Sequence, residues 1–175
     1  KLDKIEITNA SEYDENKKEE QSVYKKFSQM KEEGKLDNTQ RESDLIRGFN
    51  KVKIYEDVKL YDYAYRGFLK LRAMDGITSD MIKYSLCPES NLESAKKAQE
   101  STGKSGSFFF FSFDKRFIIK TMFQEELDIM MENLPEYFEH IKSYPDSLIA
   151  RIYGIFQVSM EGIVPVNLLL MANTI

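Results

Sequence analysis

The sequence predicts an α+β domain, an antiparallel sheet with helices packed on one side. Three observations carry that expectation. Two pairs of β-rich runs, 108–113 with 116–121 and 148–158 with 163–171, each enclose a turn signal. Between and before them lie stretches with apolar residues at helical spacing. The resulting order of helices, hairpin, helix, hairpin fits a layered sheet rather than alternating βαβ units. Composition agrees: 42% of the 175 residues are apolar, and twelve Phe and ten Tyr stand against no Trp. That suits one globular domain with an aromatic interior.

The sequence divides into a polar extension, 1–50, partly helical or disordered, and a better-patterned domain, 51–175. Half the positions from 9 to 22 are charged, and such a segment buries too little surface to offset chain ordering. Residues 23–36 read equally as a solvated lead-in or as a short amphipathic helix on Val23, Phe27 and Met30, ended near Gly34. Another short helix is expected between Ser43 and Phe49.

Tyr61, Ala64, Phe68 and Leu71 share one face of a helix expected over 61–74, with Gly76 as its stop. Thr78 or Ser79 caps a second helix that runs through Met81, Ile82 and Tyr84 and is closed by Pro88. This helical hairpin must dock on something apolar, and the sheet is the candidate. Asn91 and Leu92 suggest a brief edge strand. Between Glu93 and Lys120 six basic residues face three acidic ones, a locally positive patch that suits an anion or is simply solvated.

Gly103, Ser105, Gly106 and Ser107 form a small-residue loop before the first hairpin. In its return strand Phe117 and Ile119 point one way, and Ile118 and Lys120 point the other. A lysine in an otherwise apolar strand calls for an anionic partner. A glycine-containing loop with such a lysine strand is the layout with which kinases hold ATP phosphates.

Residues 123–142 read as a helix whose apolar stripe is Phe123, Leu127, Met130, Met131 and Leu134, with Pro135 interrupting it or starting a new turn. Glu125, Glu126 and Asp128 either compensate the helix dipole or reach Lys120. His140, the only histidine, has no partners for a metal site and reads as structural. Pro165 within the last strand implies an edge position or a bulge.

The net charge of −4 argues against a dedicated nucleic-acid binder. Cys87 is the only cysteine, which excludes an internal disulfide and fits a reducing, cytoplasmic compartment. No apolar run is long enough to span a bilayer. The absence of an initiating Met and the abrupt Ala-Asn-Thr-Ile end point to a piece of a longer chain.

Taken together, several blocks resemble the phosphatidylinositol phosphate kinase family. They are Asp62-Tyr63-Ala64 through Phe68, Leu71-Arg72 and Gly76-Ile77; Ser85-Leu86; Ser105-Gly106-Ser107 to Phe117-Ile118-Ile119-Lys120-Thr121; Leu134-Pro135-Glu136-Tyr137; Ser147-Leu148; Arg151 to Ile155; and Met171-Ala172-Asn173. The resemblance covers roughly residues 55–175, in the family's order. It implies the N-terminal lobe of a lipid kinase that transfers the ATP γ-phosphate to a phosphatidylinositol phosphate headgroup, making phosphatidylinositol 4,5-bisphosphate.

Lys120 would be the ATP-phosphate lysine. Gly103, Ser105, Gly106 and Ser107 would cover the phosphates, Ile118 would floor the adenine cleft, and Met171, Asn173 and Thr174 would form the hinge beside the base. The family's lysine-orienting glutamate aligns with Asp128, one methylene shorter. Mg²⁺ ligands and the catalytic base would lie in a second lobe, so the isolated chain would be inactive. The resemblance further implies peripheral membrane contact with the lipid substrate and homodimer formation through this lobe. The alternative is a non-catalytic interaction or dimerisation module derived from the lobe.

Overall fold

The computed structural model describes residues 17–23, 25, 29, 49–53, 57–93 and 107–174. The fold is α+β. In chain order, α1 (17–23) is followed by β1 (Phe49–Lys53), β2 (Val58–Tyr63), α2 (Tyr65–Met74), α3 (Ser79–Ser85) and α4 (88–93). Then come β3 (Phe109–Phe111), β4 (Phe117–Met122), α5 (Gln124–Glu132), α6 (Leu134–Ser143), β5 (Ile152–Met160) and β6 (Ile163–Ala172). The strands form one six-stranded sheet in the order β1-β2-β5-β6-β4-β3, and every neighbouring pair is antiparallel. Three hairpins thus lie side by side, with the longest, β5–β6, in the centre.

Two expected elements change identity. Tyr61 and Tyr63 belong to β2, and the helix starts only at Tyr65. Ala64 makes the switch in the left-handed region, φ 49°. Nothing in the side chain of alanine favours that conformation, so it is held by what surrounds it, and Ala64 is almost fully buried. Pro88 does not simply close α3. It opens α4, where its fixed φ and missing N–H are tolerated at the first helical position. Asn91 and Leu92 are therefore helical rather than strand. The helix expected over 123–142 divides at Asn133, and Pro135 sits in the first turn of α6.

The polar N-terminal stretch also contains a formed helix, α1, packed against the domain. Glu19 pairs with Arg66 of α2 at 3.2 Å, and Glu20 accepts the Ser79 N–H at the start of α3. The helix expected between Ser43 and Phe49 lies outside the described residues, apart from Phe49, which begins β1.

Pro165 sits where β6 has β5 on one side only. β4 pairs with β6 only from Asn167 onward, and the β5–β6 register shifts between Val158 and Met160. The missing proline N–H therefore breaks no ladder on the β4 side. The core joins Phe68 and Leu71 of α2, Leu127 of α5, Leu134, Phe138 and Ile141 of α6, and Phe117, Ile155, Leu169 and Leu170 of the sheet. Phe68 meets Phe138 edge-on at 5.2 Å, so two helices far apart in sequence close the same core.

Candidate functional site

The site is built on β4. Register places Lys120 opposite Phe109 of β3 and Leu169 of β6. The same row continues through Ile155 of β5 to Tyr63 of β2. Directly paired residues share a sheet face, so Lys120 emerges on the face that carries Ile118, Phe109 and Phe111. Phe110 on the opposite face is buried, whereas Phe109 and Phe111 are 40% and 44% exposed. The four consecutive aromatics thus split into a core side and an open side. The Lys120 ammonium lies 5.9 Å from the centre of the Phe109 ring, within reach of a cation–π attraction.

Glu126 provides the anionic partner. Its Oε1 accepts from Lys120 Nζ at 2.9 Å. Its Oε2 accepts the N–H of Phe123, the residue preceding α5, at 2.8 Å. One carboxylate therefore satisfies an orphan donor of its own helix start and holds the lysine. Hydrogen bonds from Lys120 and from the Phe123 N–H keep the Glu126 carboxyl below the ordinary glutamate value, against a smaller opposing effect of burial. The Glu126 carboxylate stays ionised and fixes the Lys120 side chain in direction.

Asp128, expected as the partner, has a different contact. Its Oδ1 accepts from Gln124 Nε2 at 2.8 Å. Gln124 Oε1 in turn accepts from Asn167 Nδ2, and Asn167 Oδ1 accepts from Gln157 Nε2. This amide chain runs from the exposed side of α5 to the centre of the sheet and fixes the helix relative to β5 and β6. Asp128 belongs to that support and not to the lysine. The signal for Glu126 is its place as the third residue of the helix, where a glutamate reaches back to the cap, and it is readable only once the helix start is known.

Of the loop residues, Ser107 is described and buried at the entrance to β3, while Gly103, Ser105 and Gly106 lie outside the described residues. The hairpin ladder extends toward that loop, because Thr121 N donates to Phe108 O and Phe108 N donates to Thr121 Oγ1. Ile118 is buried and lies opposite Met171. Past Met171, Ala172 N donates to Arg151 O and Asn173 N donates to Arg116 O. The Asn173 side chain donates to Lys115 O at 2.7 Å. Asn173 is thus turned onto the β3–β4 turn, and both its backbone and side-chain nitrogens are used there rather than offered to a ligand. Thr174 is the last described residue.

His140 Nε2 is 2.8 Å from Ser147 Oγ, a local contact between α6 and the loop before β5. Among the described residues no group of three His, Cys, Asp or Glu could hold a metal ion. What the arrangement can do by itself is present a fixed ammonium, flanked by aromatic surface, to an anion.

Comparison with known proteins places the sequence in a family. Residues 90–175 match the family model described as phosphatidylinositol-4-phosphate 5-kinase. A phosphatidylinositol 4-phosphate 5-kinase of Schizosaccharomyces pombe is 40% identical over 110 residues, 59% of this chain and 14% of its own length. Phosphatidylinositol 4-phosphate 5-kinase type-1 alpha of Homo sapiens is 36% identical over 108 residues, 62% of this chain and 18% of its own length. Phosphatidylinositol 4-phosphate 5-kinase 8 of Arabidopsis thaliana is 33% identical over 112 residues, 64% and 14% respectively. The matched domain is a lipid kinase fold. The chain belongs to the phosphatidylinositol phosphate kinase family. It spans between 14% and 18% of the length of these three curated relatives.

Proposed function

We propose that residues 51–175 form the ATP-binding N-terminal lobe of a phosphatidylinositol phosphate kinase, with residues 1–50 as an extension. The observation that carries this reading is the 2.9 Å pair between Lys120 and Glu126, two ladder pairs away from the Ile118–Met171 row at the hinge. Phosphoryl transfer asks the protein mainly for positioning and electrostatic stabilisation. Lys120 contacts ATP phosphate oxygens while Glu126 keeps the ammonium aimed. The small-residue loop of Gly103, Ser105, Gly106 and Ser107 covers the phosphates. Ile118 and the backbone around Met171 and Thr174 border the base.

The acceptor is the headgroup of a phosphatidylinositol phosphate in a membrane, and the product is phosphatidylinositol 4,5-bisphosphate. The protein works at the cytoplasmic membrane surface. A general base and Mg²⁺ ligands come from a second lobe, so the 175-residue chain alone transfers no phosphate. The non-catalytic alternative draws on the shortness of Asp128 and on the missing second lobe, and the Glu126 contact removes the first of these motives. Homodimer formation through the lobe remains compatible with catalysis.

The test is ATP binding and lipid phosphorylation by the full-length protein carrying Lys120→Met. Activity on phosphatidylinositol 4-phosphate vesicles falls by roughly 10²-fold or more if Lys120 stabilises transferring charge. Unchanged activity in a variant of normal thermal stability would remove Lys120 from the mechanism.

A further inference from the structure

The β3–β4 turn is bonded on both sides. Asp114 sits at its centre. Asp114 Oδ2 accepts the Ser85 hydroxyl of α3 at 2.6 Å. Oδ1 accepts the Ser112 hydroxyl at 2.7 Å and the Arg116 N–H at 3.2 Å. Ser112 Oγ accepts in turn from Phe117 N at 3.0 Å. Asn91 of α4 adds a second tie: its Nδ2 donates to the Ser85 and Cys87 carbonyls, and its Oδ1 accepts the Phe113 N–H at 2.8 Å. Ser85, Asn91 and Ser112 are almost fully buried, so each polar group has to find its partner inside the protein. On the other side of the turn, the carbonyls of Lys115 and Arg116 hold Asn173. Lys115 itself lies in the left-handed region, φ 57°, a conformation that persists only where neighbouring contacts impose it.

We propose that Asp114 is a positioning residue that clamps the β3–β4 turn between the α3–α4 helices and the hinge at Asn173. The clamp fixes two things at once. It sets where the hinge leaves the sheet, through Asn173. It also sets the register of the hairpin whose strands present Phe109, Phe111 and Lys120 to one face. Burial raises the Asp114 carboxyl, but hydrogen bonds from Ser85, Ser112 and the Arg116 N–H, with the Arg116 charge, outweigh it and hold the group below the ordinary value. The acceptor therefore stays ionised, and the hydrogen bonds to it are the strong, charge-assisted kind.

The consequence for catalysis rests on the proposed ATP-binding role, whereas the mechanical coupling does not. Asp114→Ala and Asn173→Ala in the full-length protein are each expected to raise KM for ATP about tenfold, the size of one lost charge-assisted hydrogen-bond set, with kcat within about twofold. The double variant is expected to be little worse than either single one, because both break the same clamp. Ser85→Ala, which removes one hydrogen bond and no charge, provides a milder version of the same shift should Asp114→Ala fold poorly.

Amide exchange of the full-length protein without nucleotide reads the coupling directly. Asp114→Ala is expected to speed exchange of the Asn173 N–H about tenfold or more while α6 keeps its protection. Unchanged exchange at Asn173 in both Asp114→Ala and Ser85→Ala, or a fall in kcat with KM unchanged, overturns the proposal. If the unaltered protein binds no ATP, the functional reading fails and the exchange result alone decides on the clamp.

Discussion

At the residue scale, the central feature is one carboxylate with two tasks. Glu126 closes the start of α5 and holds Lys120, so the orientation of the lysine is tied to a helix end rather than to a flexible side chain. The sequence made Lys120 legible because a lone cation in an apolar strand is conspicuous. Its partner was harder to choose among Glu125, Glu126 and Asp128, since spacing along a helix does not say which carboxylate turns back over the cap. The half-capping contact decided it.

A second residue carries a pH dependence. Burial raises the Asp62 carboxyl from 3.8 to about 7, against the opposing charge of Arg72, and its Oδ1 is buried without a hydrogen-bond partner among the described residues. Tyr65, raised to about 12 chiefly by burial, lies in the same electrostatic neighbourhood. The folded state therefore holds the Asp62 proton more tightly than the unfolded chain does. That contribution is fully present below pH 3.8 and is lost as pH rises through about 7. Urea denaturation is expected to show stability falling between pH 5 and pH 8 by an amount on the order of 1 kcal/mol or more, and Asp62→Asn is expected to flatten that slope. Identical slopes for the two proteins would refute the assignment.

At the element scale, hairpins and amphipathic helices were readable wherever one periodicity dominated. β4, the β5–β6 hairpin and α5 follow from alternation or from a helical stripe. Residues 61–64 read as helix because Tyr61, Ala64, Phe68 and Leu71 keep helical spacing across a strand–helix junction. Only the tertiary pairing of Tyr61 with Gln157 and Tyr63 with Ile155, and the left-handed Ala64, reveal where the strand ends. Pro88 reads as a stop because a proline ends one helix as readily as it begins the next. The amphipathic helix expected from Val23 is met by helical residues at 23, 25 and 29, but the earlier start of α1 at residue 17 is not marked by apolar spacing, because Glu19 and Glu20 dock through contacts to Arg66 and the Ser79 N–H. The closing of the core depends on α2 meeting α6 through Phe68, which is fully buried. Phe68→Ala is expected to cost about 3–5 kcal/mol of stability, measured by the shift of the urea midpoint at constant slope. A loss below about 1 kcal/mol would mean that the two helices are held together elsewhere.

At the scale of the whole molecule, the family relationship and the sheet agree on a lipid kinase fold, and under the proposed function the net charge of −4 bears on how such a domain would meet a membrane. Attraction to an anionic bilayer has to be local. Among the described residues, Lys115 and Arg116 are exposed on the β3–β4 turn, while Lys96, Lys97 and Lys104 lie outside them. Each basic residue near such a surface contributes about 1 kcal/mol. Reversing Lys115 and Arg116 to glutamate is therefore expected to weaken binding of the full-length protein to anionic vesicles by at least about tenfold at low salt. Unaltered binding would place the membrane contact elsewhere. No helix among the described residues is long and apolar enough to cross a membrane.

The account stands on Glu126, not Asp128, being the partner that aims Lys120 at ATP. The most direct test compares Glu126→Gln with Asp128→Asn in phosphorylation of phosphatidylinositol 4-phosphate by the full-length protein. Glu126→Gln is expected to lower kcat/KM for ATP by roughly 10²-fold and Asp128→Asn by no more than about threefold. A large loss confined to Asp128→Asn, with Glu126→Gln near wild type, would contradict it.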